Sequence, residues 1–190
     1  KRVLKANPSG QVSVVLERLS VFSPLSMAVD AQGNFIIADY QISGNSARFP
    51  IFRVDSKGQA TEVVRLCSGT RLGTQGSVSM TTDLAGDYIV ALTCDTTLQL
   101  LRITPAGEVS VIVDNDPKFH GQYNSGECLN DVILDPTGQG YFLLGCAGIF
   151  HISPTGEVAV ITEEWPAYGL TSLAMARPMP RPAPVTSVHA

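Results

Sequence analysis

Asn130 and Asp131 stand side by side and are the strongest chemical candidates in this sequence. An amide oxygen next to a carboxylate suits a hard divalent cation such as Ca2+, which takes roughly six to eight oxygen ligands. The competing role is local, with both side chains bonding nearby backbone N–H groups to shape the start of a strand. A second group lies in 114–129, DNDPKFHGQYNSGECL, with Asp114, Asp116, His120 and Glu127. Its Asp-x-Asp opening is half of a Ca2+ loop, but the rest of the D-x-D-x-D-G pattern is missing, so a solvated turn pivoting on Pro117 is the stronger reading. Asp39 with Tyr40, and Asp95, follow second strands on the same loop face and join Asp114, Asp116, His120 and Glu127 as its binding candidates. His151 alternates with Phe150 and Ile152 and reads as a structural residue on a strand face. Glu163 and Glu164 are adjacent, so on a strand they point to opposite faces and do not form an acid–base pair. No G-x-S-x-G elbow, H-E-x-x-H pair or phosphate-binding glycine loop occurs. The catalytic set is incomplete.

These side chains acquire a location through the repeat that carries them. Residues 128–146, CLNDVILDPTGQGYFLLGC, share an outline with SMAVDAQGNFIIAD (26–39) and SMTTDLAGDYIVAL (79–92). Asp30, Asp83 and Asp135 recur at spacings of 53 and 52. Each unit has a second half: IFRVDSKGQATEVVR (51–65), LLRITPAGEVSVIV (100–113) and IFHISPTGEVAVIT (149–162), with VLKANPSGQVSVVL (3–16) as a fourth copy. Gly10, Gly58, Gly107 and Gly156 lie at spacings of 48, 49 and 49. Apolar alternation at period two, with Gly at the bend, predicts β-hairpins. Two hairpins per ~49 residues give four short antiparallel strands, the make-up of one β-propeller blade. A β-sandwich has no reason to repeat its turn chemistry in register. The expected fold class is all-β, a propeller of four-stranded antiparallel blades.

On this reading residues 1–176 hold the blades: a half blade at 3–17, blades at about 25–66, 78–113 and 129–162, and a partial strand at 169–176. Arg177 stands where the next turn Asp belongs, and there the pattern stops. The count fits part of a six-bladed propeller, with a four-bladed ring closed by both termini as the alternative. The segment 177–190, RPMPRPAPVTSVHA, with proline at every second position from 178 to 184, reads as a Pro-rich tail or linker. A docking peptide for an aromatic groove is its second reading.

In a four-stranded blade the loops before the first strand and after the second open on one face, and Cys67, Cys94, Cys128 and Cys146 all fall there. Folding 128–146 about its turn sets Cys128 nearly opposite Cys146, where a non-hydrogen-bonded pair reaches disulfide distance. Cys67 and Cys94 form the second pair, with less geometric support, and four free thiols are the alternative. No C-x-x-C spacing marks a structural zinc site. Two local pairs point to an oxidising compartment, extracellular or periplasmic.

Composition narrows the partners. The 190 residues are 44% apolar and 16% charged, with a net charge of −4 and no basic block, which argues against a nucleic-acid or anionic-membrane surface. No apolar run approaches the ~18 residues of a membrane span. The start, KRVLKANPSG, has no apolar segment of signal-peptide type and no initiator Met, and reads as a mature form or an excised piece.

SMAVDAQGNFIIADY…IFRVDSKGQ resembles an NHL-type propeller repeat. LLRITPAGEVSVI resembles repeats of the virginiamycin B lyase-like propellers. LNDVILDPTGQGYFLL resembles the Asn-Asp blade of the gluconolactonase and senescence-marker-protein family. The likeness covers about 1–176 and implies a propeller of five to seven blades. In the gluconolactonase-like family, inner-strand Asn or Asp residues of several blades, with a Glu, hold a metal that polarises the lactone. The resemblance implies that role for Asn130, five residues before Asp135. This chain departs from the pattern: Leu25, Val78 and Ser172 fill the equivalent positions, and Cys128 replaces the family's arginine. One polar position of this kind falls far short of the cation's shell.

The reading is therefore a non-catalytic NHL-like propeller that binds a protein or a small ligand through its loop face. The competing reading is a metal-dependent lactonase or esterase using Asn130 and Asp131 with a divalent cation such as calcium. A structural repeat module of a longer chain is the third.

Overall fold

The computed structural model describes residues 2–17, 23–43, 46–71, 76–94, 97–119, 129–145 and 148–162. Local chemistry fixes its hairpins. In seven turns, Asn7, Asp30, Asp55, Asp83, Thr104, Asp135 or Ser153 accepts, on its backbone carbonyl, the N–H of a glycine three residues on. The side chain of that first residue accepts another backbone N–H two or four residues on. A short polar residue that mimics backbone, plus glycine at positive φ, makes a tight hairpin loop. At Gly107 and Gly156 the need for glycine is double. Their φ values are 90° and 91°. A Cβ on Gly107 would also lie 2.6 Å from the Val63 carbonyl oxygen, and one on Gly156 closer still to that of Ile112.

The hairpins assemble into antiparallel sheets. Strands β1 (Val3–Ala6) and β2 (Val12–Leu16) form a two-stranded sheet. The next sheet contains β3 (Pro24–Val29), β4 (Phe35–Asp39), β5 (Gln41–Ser43), β6 (Ser46–Val54) and β7 (Ala60–Arg71). Here β4 and β5 pair with successive stretches of β6, so together they occupy one strand position. Strands β8 (Val78–Thr82), β9 (Tyr88–Cys94), β10 (Thr97–Ile103) and β11 (Val109–Asp114) form a four-stranded sheet in chain order. After a short 3-10 helix, Pro117–Phe119, the strands β12 (Leu129–Leu134), β13 (Tyr141–Gly145), β14 (Gly148–Ile152) and β15 (Val158–Thr162) form another. The innermost strands β3, β8 and β12 lie side by side. This is the arrangement of β-propeller blades. Among the described residues no helix is long and apolar enough to cross a membrane.

The apolar cores lie between sheets. Along β9, Ile89 and Ala91 join Leu98, Leu100, Val132, Tyr141, Leu143 and Phe150, facing the sheet that follows. Tyr88, Val90 and Leu92 join Ile36, Phe49, Ile51 and Met80, facing the sheet that precedes. Successive strand side chains point to opposite faces, so a strand covered on both sides is apolar throughout. A smaller cluster joins Val3 to Ile37 and Val54. At roughly 25 cal/mol per Å2 of apolar surface removed from water, these interfaces are the main favourable term of the fold. Leu100 is fully buried between the two last sheets, whereas Val111 on β11 is 57% exposed. Leu100→Ala is expected to cost about 2–5 kcal/mol in urea unfolding, and Val111→Ala less than about 0.5 kcal/mol.

Candidate functional site

All the Asp/Gly turns lie at one end of the sheets. The other end carries the connections between second and third strands and those that lead into each innermost strand, and the sequence places its candidates there. At that end β5, the start of β6 and the end of β7 continue the second sheet beyond its neighbours, with Gln41 opposite Arg48 and Ala47 opposite Thr70. The corresponding connections after β9 and β13 are short. The sequence reading missed this extension. Its signal was the interval between turn residues, 25 from Asp30 to Asp55 against 21 from Asp83 to Thr104 and 18 from Asp135 to Ser153.

Beneath the extension Asp39 is fully buried. Its carboxylate accepts the N–H of Ser23 and, at 3.1 Å, the amide of Gln41. The Tyr40 N–H donates to the Ser23 carbonyl at 2.9 Å, and the Tyr40 ring lies 5.6 Å from that of Phe49. Asp39 therefore clasps the start of the innermost strand to the end of its neighbour. Cys67 sits in a register shift of β7 with φ 51°, a left-handed conformation unusual for a side chain. The bulge turns its sulfur onto Cys94 at the end of β9, and the two form a disulfide with a Cα separation of 6.0 Å. This bond joins two sheets and closes 27 residues, a constraint worth about 3–4 kcal/mol on loop-entropy grounds. The pair with less geometric support in the sequence is thus bonded in the structure. Cys128 and Cys146 lie outside the described residues, as do Asp95, His120, Glu127 and the segments 163–176 and 177–190.

The start of the 114–129 segment folds locally. Asp114 accepts the Gln99 amide at 2.9 Å across β10 and β11. Asn115 adopts φ 48° and bonds the Leu98 carbonyl through its N–H. Asp116 accepts the N–H of Lys118, and the Lys118 ammonium donates to the Val158 carbonyl at 2.6 Å. The short helix thereby seats Phe119 edge-on against Phe150, ring centres 5.1 Å apart. Asp114, Asp116 and Asp131 do not gather as a three-carboxylate cation site.

Asn130 is exposed where β12 shifts register against β13. Asp131 Oδ1 accepts the Ser79 hydroxyl at 2.9 Å and the Val132 N–H at 3.0 Å. Ser26 and Ser79 occupy the position of Asp131 in their own repeats, and Ser26 Oγ accepts the Met80 N–H at 3.1 Å. Two oxygen-bearing side chains of neighbouring innermost strands are thus in direct contact. Among the described residues no group of three or more His, Cys, Asp or Glu side chains converges as a metal site.

At the turn end, Arg53, Arg102 and His151 fill one repeat position. Arg102 reaches the Tyr141 hydroxyl at 3.1 Å, with Asp83 and Asp87 at 3.7 and 3.9 Å. The Tyr141 hydrogen bond, then the two carboxylates, raise the pKa of its guanidinium. Burial and the charge of Asp30 raise the Tyr88 phenol. His151 meets Asp135 at 3.1 Å and stacks near Phe142. The Thr137 N–H, then its hydroxyl and His151, hold the Asp135 carboxyl below its ordinary value.

No protein-family model matches the sequence, and no curated protein matches it. Solved structures match it in fold. Virginiamycin B lyase from Staphylococcus aureus superposes with a TM-score of 0.51 at 13% identity, over 83% of this chain and 47% of that one. A catalytically inactive form of that lyase with quinupristin gives 0.53 at 14% identity, over 88% and 50%. A structure provisionally described as a gluconolactonase gives 0.54 at 14% identity, over 85% and 57%. The neighbours are β-propeller proteins, and identities this low show the fold alone. The chain spans about half the length of the proteins it matches.

Because the folded pKa of Asp135 is depressed, its contribution to stability is present above the unfolded value, ordinarily about 3.9, and is lost as pH falls through the folded value. Asp135→Asn should therefore be less stable than the parent at pH 7. The gap should close as pH falls below about 4, measured by urea unfolding at each pH.

Proposed function

We propose that this chain is a non-catalytic, NHL-like propeller scaffold that binds a protein or small ligand through the face carrying the β5–β6–β7 extension. The observation that carries this reading is asymmetry confined to one face. Among the described residues the turn end repeats one chemistry seven times, whereas at the opposite end one sheet extends beyond its neighbours and is pinned by the Cys67–Cys94 bond. Regular repeats supply rigidity, and an irregular segment held on a rigid scaffold is where recognition is built. Ile42, 52% exposed on the extension between polar neighbours, offers an apolar contact there.

A second reading rests on one specific feature, the exposed Asn130 beside Asp131 and Ser79. A lactonase or esterase of the gluconolactonase-like type would use these oxygens to hold a cation such as Ca2+, with further ligands from elsewhere. The cation would polarise a lactone carbonyl.

Thermal melts separate the two, using the chain with gluconolactone, quinupristin, Ca2+ or EDTA. The binding reading expects a ligand-induced rise that survives Asn130→Ala and disappears when residues 42–47 are replaced by a two-residue turn, with no lactone hydrolysed. A Ca2+-dependent rise of about 5–10 °C near hundredfold saturation, lost in Asn130→Ala together with lactone hydrolysis, would overturn it in favour of the enzyme.

A further inference from the structure

Arg48 lies on the β5–β6–β7 extension, on β6 and directly opposite Gln41 of β5. Cross-strand partners share a face, so Arg48 and Gln41 take one side of the extension while Ile42 and Ala47 take the other. Arg48 is half-buried. Among the described residues its Nε–H is buried without a hydrogen-bond acceptor, and its guanidinium is in none of the ion pairs.

Two other arginines show the contrast. Arg65 on β7 holds the Glu62 carboxylate, its Nε–H donating at 2.9 Å. Arg102 donates to the Tyr141 hydroxyl and lies near Asp83 and Asp87. The Asp39 carboxylate, which Gln41 reaches from the same side as Arg48, takes the Ser23 N–H and the Gln41 amide. Burying a guanidinium N–H away from any acceptor is strongly unfavourable, and such a group calls for a specific explanation. Its position on the irregular end of the sheets supplies one, because stability given up at a binding surface is recovered when the ligand arrives.

We infer that Arg48 is the residue that recognises the ligand on this face, and that the ligand presents a carboxylate to it. The inference rests on the loop-face reading above and names the chemistry that face selects. A planar guanidinium fork fits carboxylate and phosphate alike. The buried Asp39 carboxylate on the same side opposes a second negative charge, which favours a carboxylate over a phosphate dianion.

The test titrates the full chain with N-acetylglycine and follows the arginine Nε–H signals by nitrogen–proton NMR, with Arg48→Lys identifying the Arg48 signal. That signal should shift saturably with N-acetylglycine, about threefold or more weakly with inorganic phosphate, and not at all with N-acetylglycinamide or sodium chloride. Arg48→Lys, which keeps the charge and loses the fork, should bind N-acetylglycine about tenfold more weakly. Acetyl-tetraalanine with a free C-terminus separates the sources of the acid: tighter binding than N-acetylglycine assigns a peptide, equal binding a small molecule, and both support a carboxylate. Without ligand, Arg48→Met keeps the apolar stem and removes the charge, and should melt at or above the midpoint of the parent. A lower midpoint would make the arginine structural and overturn the inference, as would a shift of equal size with chloride or the absence of a saturable one. Binding of N-acetylglycine that survives replacement of residues 42–47 but is lost in Arg48→Met keeps the role of Arg48 and sinks the extension reading. A ligand-induced rise lost on that replacement but unchanged in Arg48→Met does the opposite.

Discussion

One constraint underlies the structure: the sheets are apolar where they meet, and the β8–β11 sheet between two others is apolar on both faces and covered on both. In β9 the residues from Tyr88 to Thr93 are all buried, with Tyr88, Val90 and Leu92 turned one way and Ile89 and Ala91 the other. A single sheet of this kind has no core of its own. Its stability comes from its two interfaces, which makes the stack a nearest-neighbour system in which each unit exists because the next one does. The glycines at 107 and 156 belong to the same logic, since they let a turn press against the carbonyl of the preceding sheet's outer strand.

Close stacking leaves the sheet ends to manage the polar groups, and the two ends do so differently. The turn end is uniform, with Asp, Asn, Ser or Thr closing each hairpin and Arg102 or His151 bridging to a turn carboxylate. The opposite end is individual. Asp39 clasps one strand start, Phe119 plugs one interface from outside, and a bulged Cys67 ties one sheet to the next. Individual features on a uniform scaffold are the physical basis for placing recognition at that end.

The hairpin chemistry was legible in the sequence because it is local: Asp30, Asp83 and Asp135, with Gly10, Gly58, Gly107 and Gly156, act on residues within four positions of themselves. Groups that act between sheets were not. Ser26 and Ser79 look like ordinary strand serines until β3, β8 and β12 are side by side, and Arg102 meets Tyr141 only across an interface. The β5 strand was hidden because QIS is too short to show alternation. The Cys67–Cys94 bond was undervalued because a single-hairpin register cannot anticipate a bulge that redirects a sulfur towards another sheet.

Native-state hydrogen exchange in sub-denaturing urea tests most directly the claim that stability resides between sheets. Slow amides of β9 and β10 and those of β13 and β14 are expected to share one opening free energy and one urea dependence, with β1 and β2 opening at lower cost. Separate opening energies for the two sheets, each with its own smaller urea dependence, would show instead that each of these sheets folds on its own core.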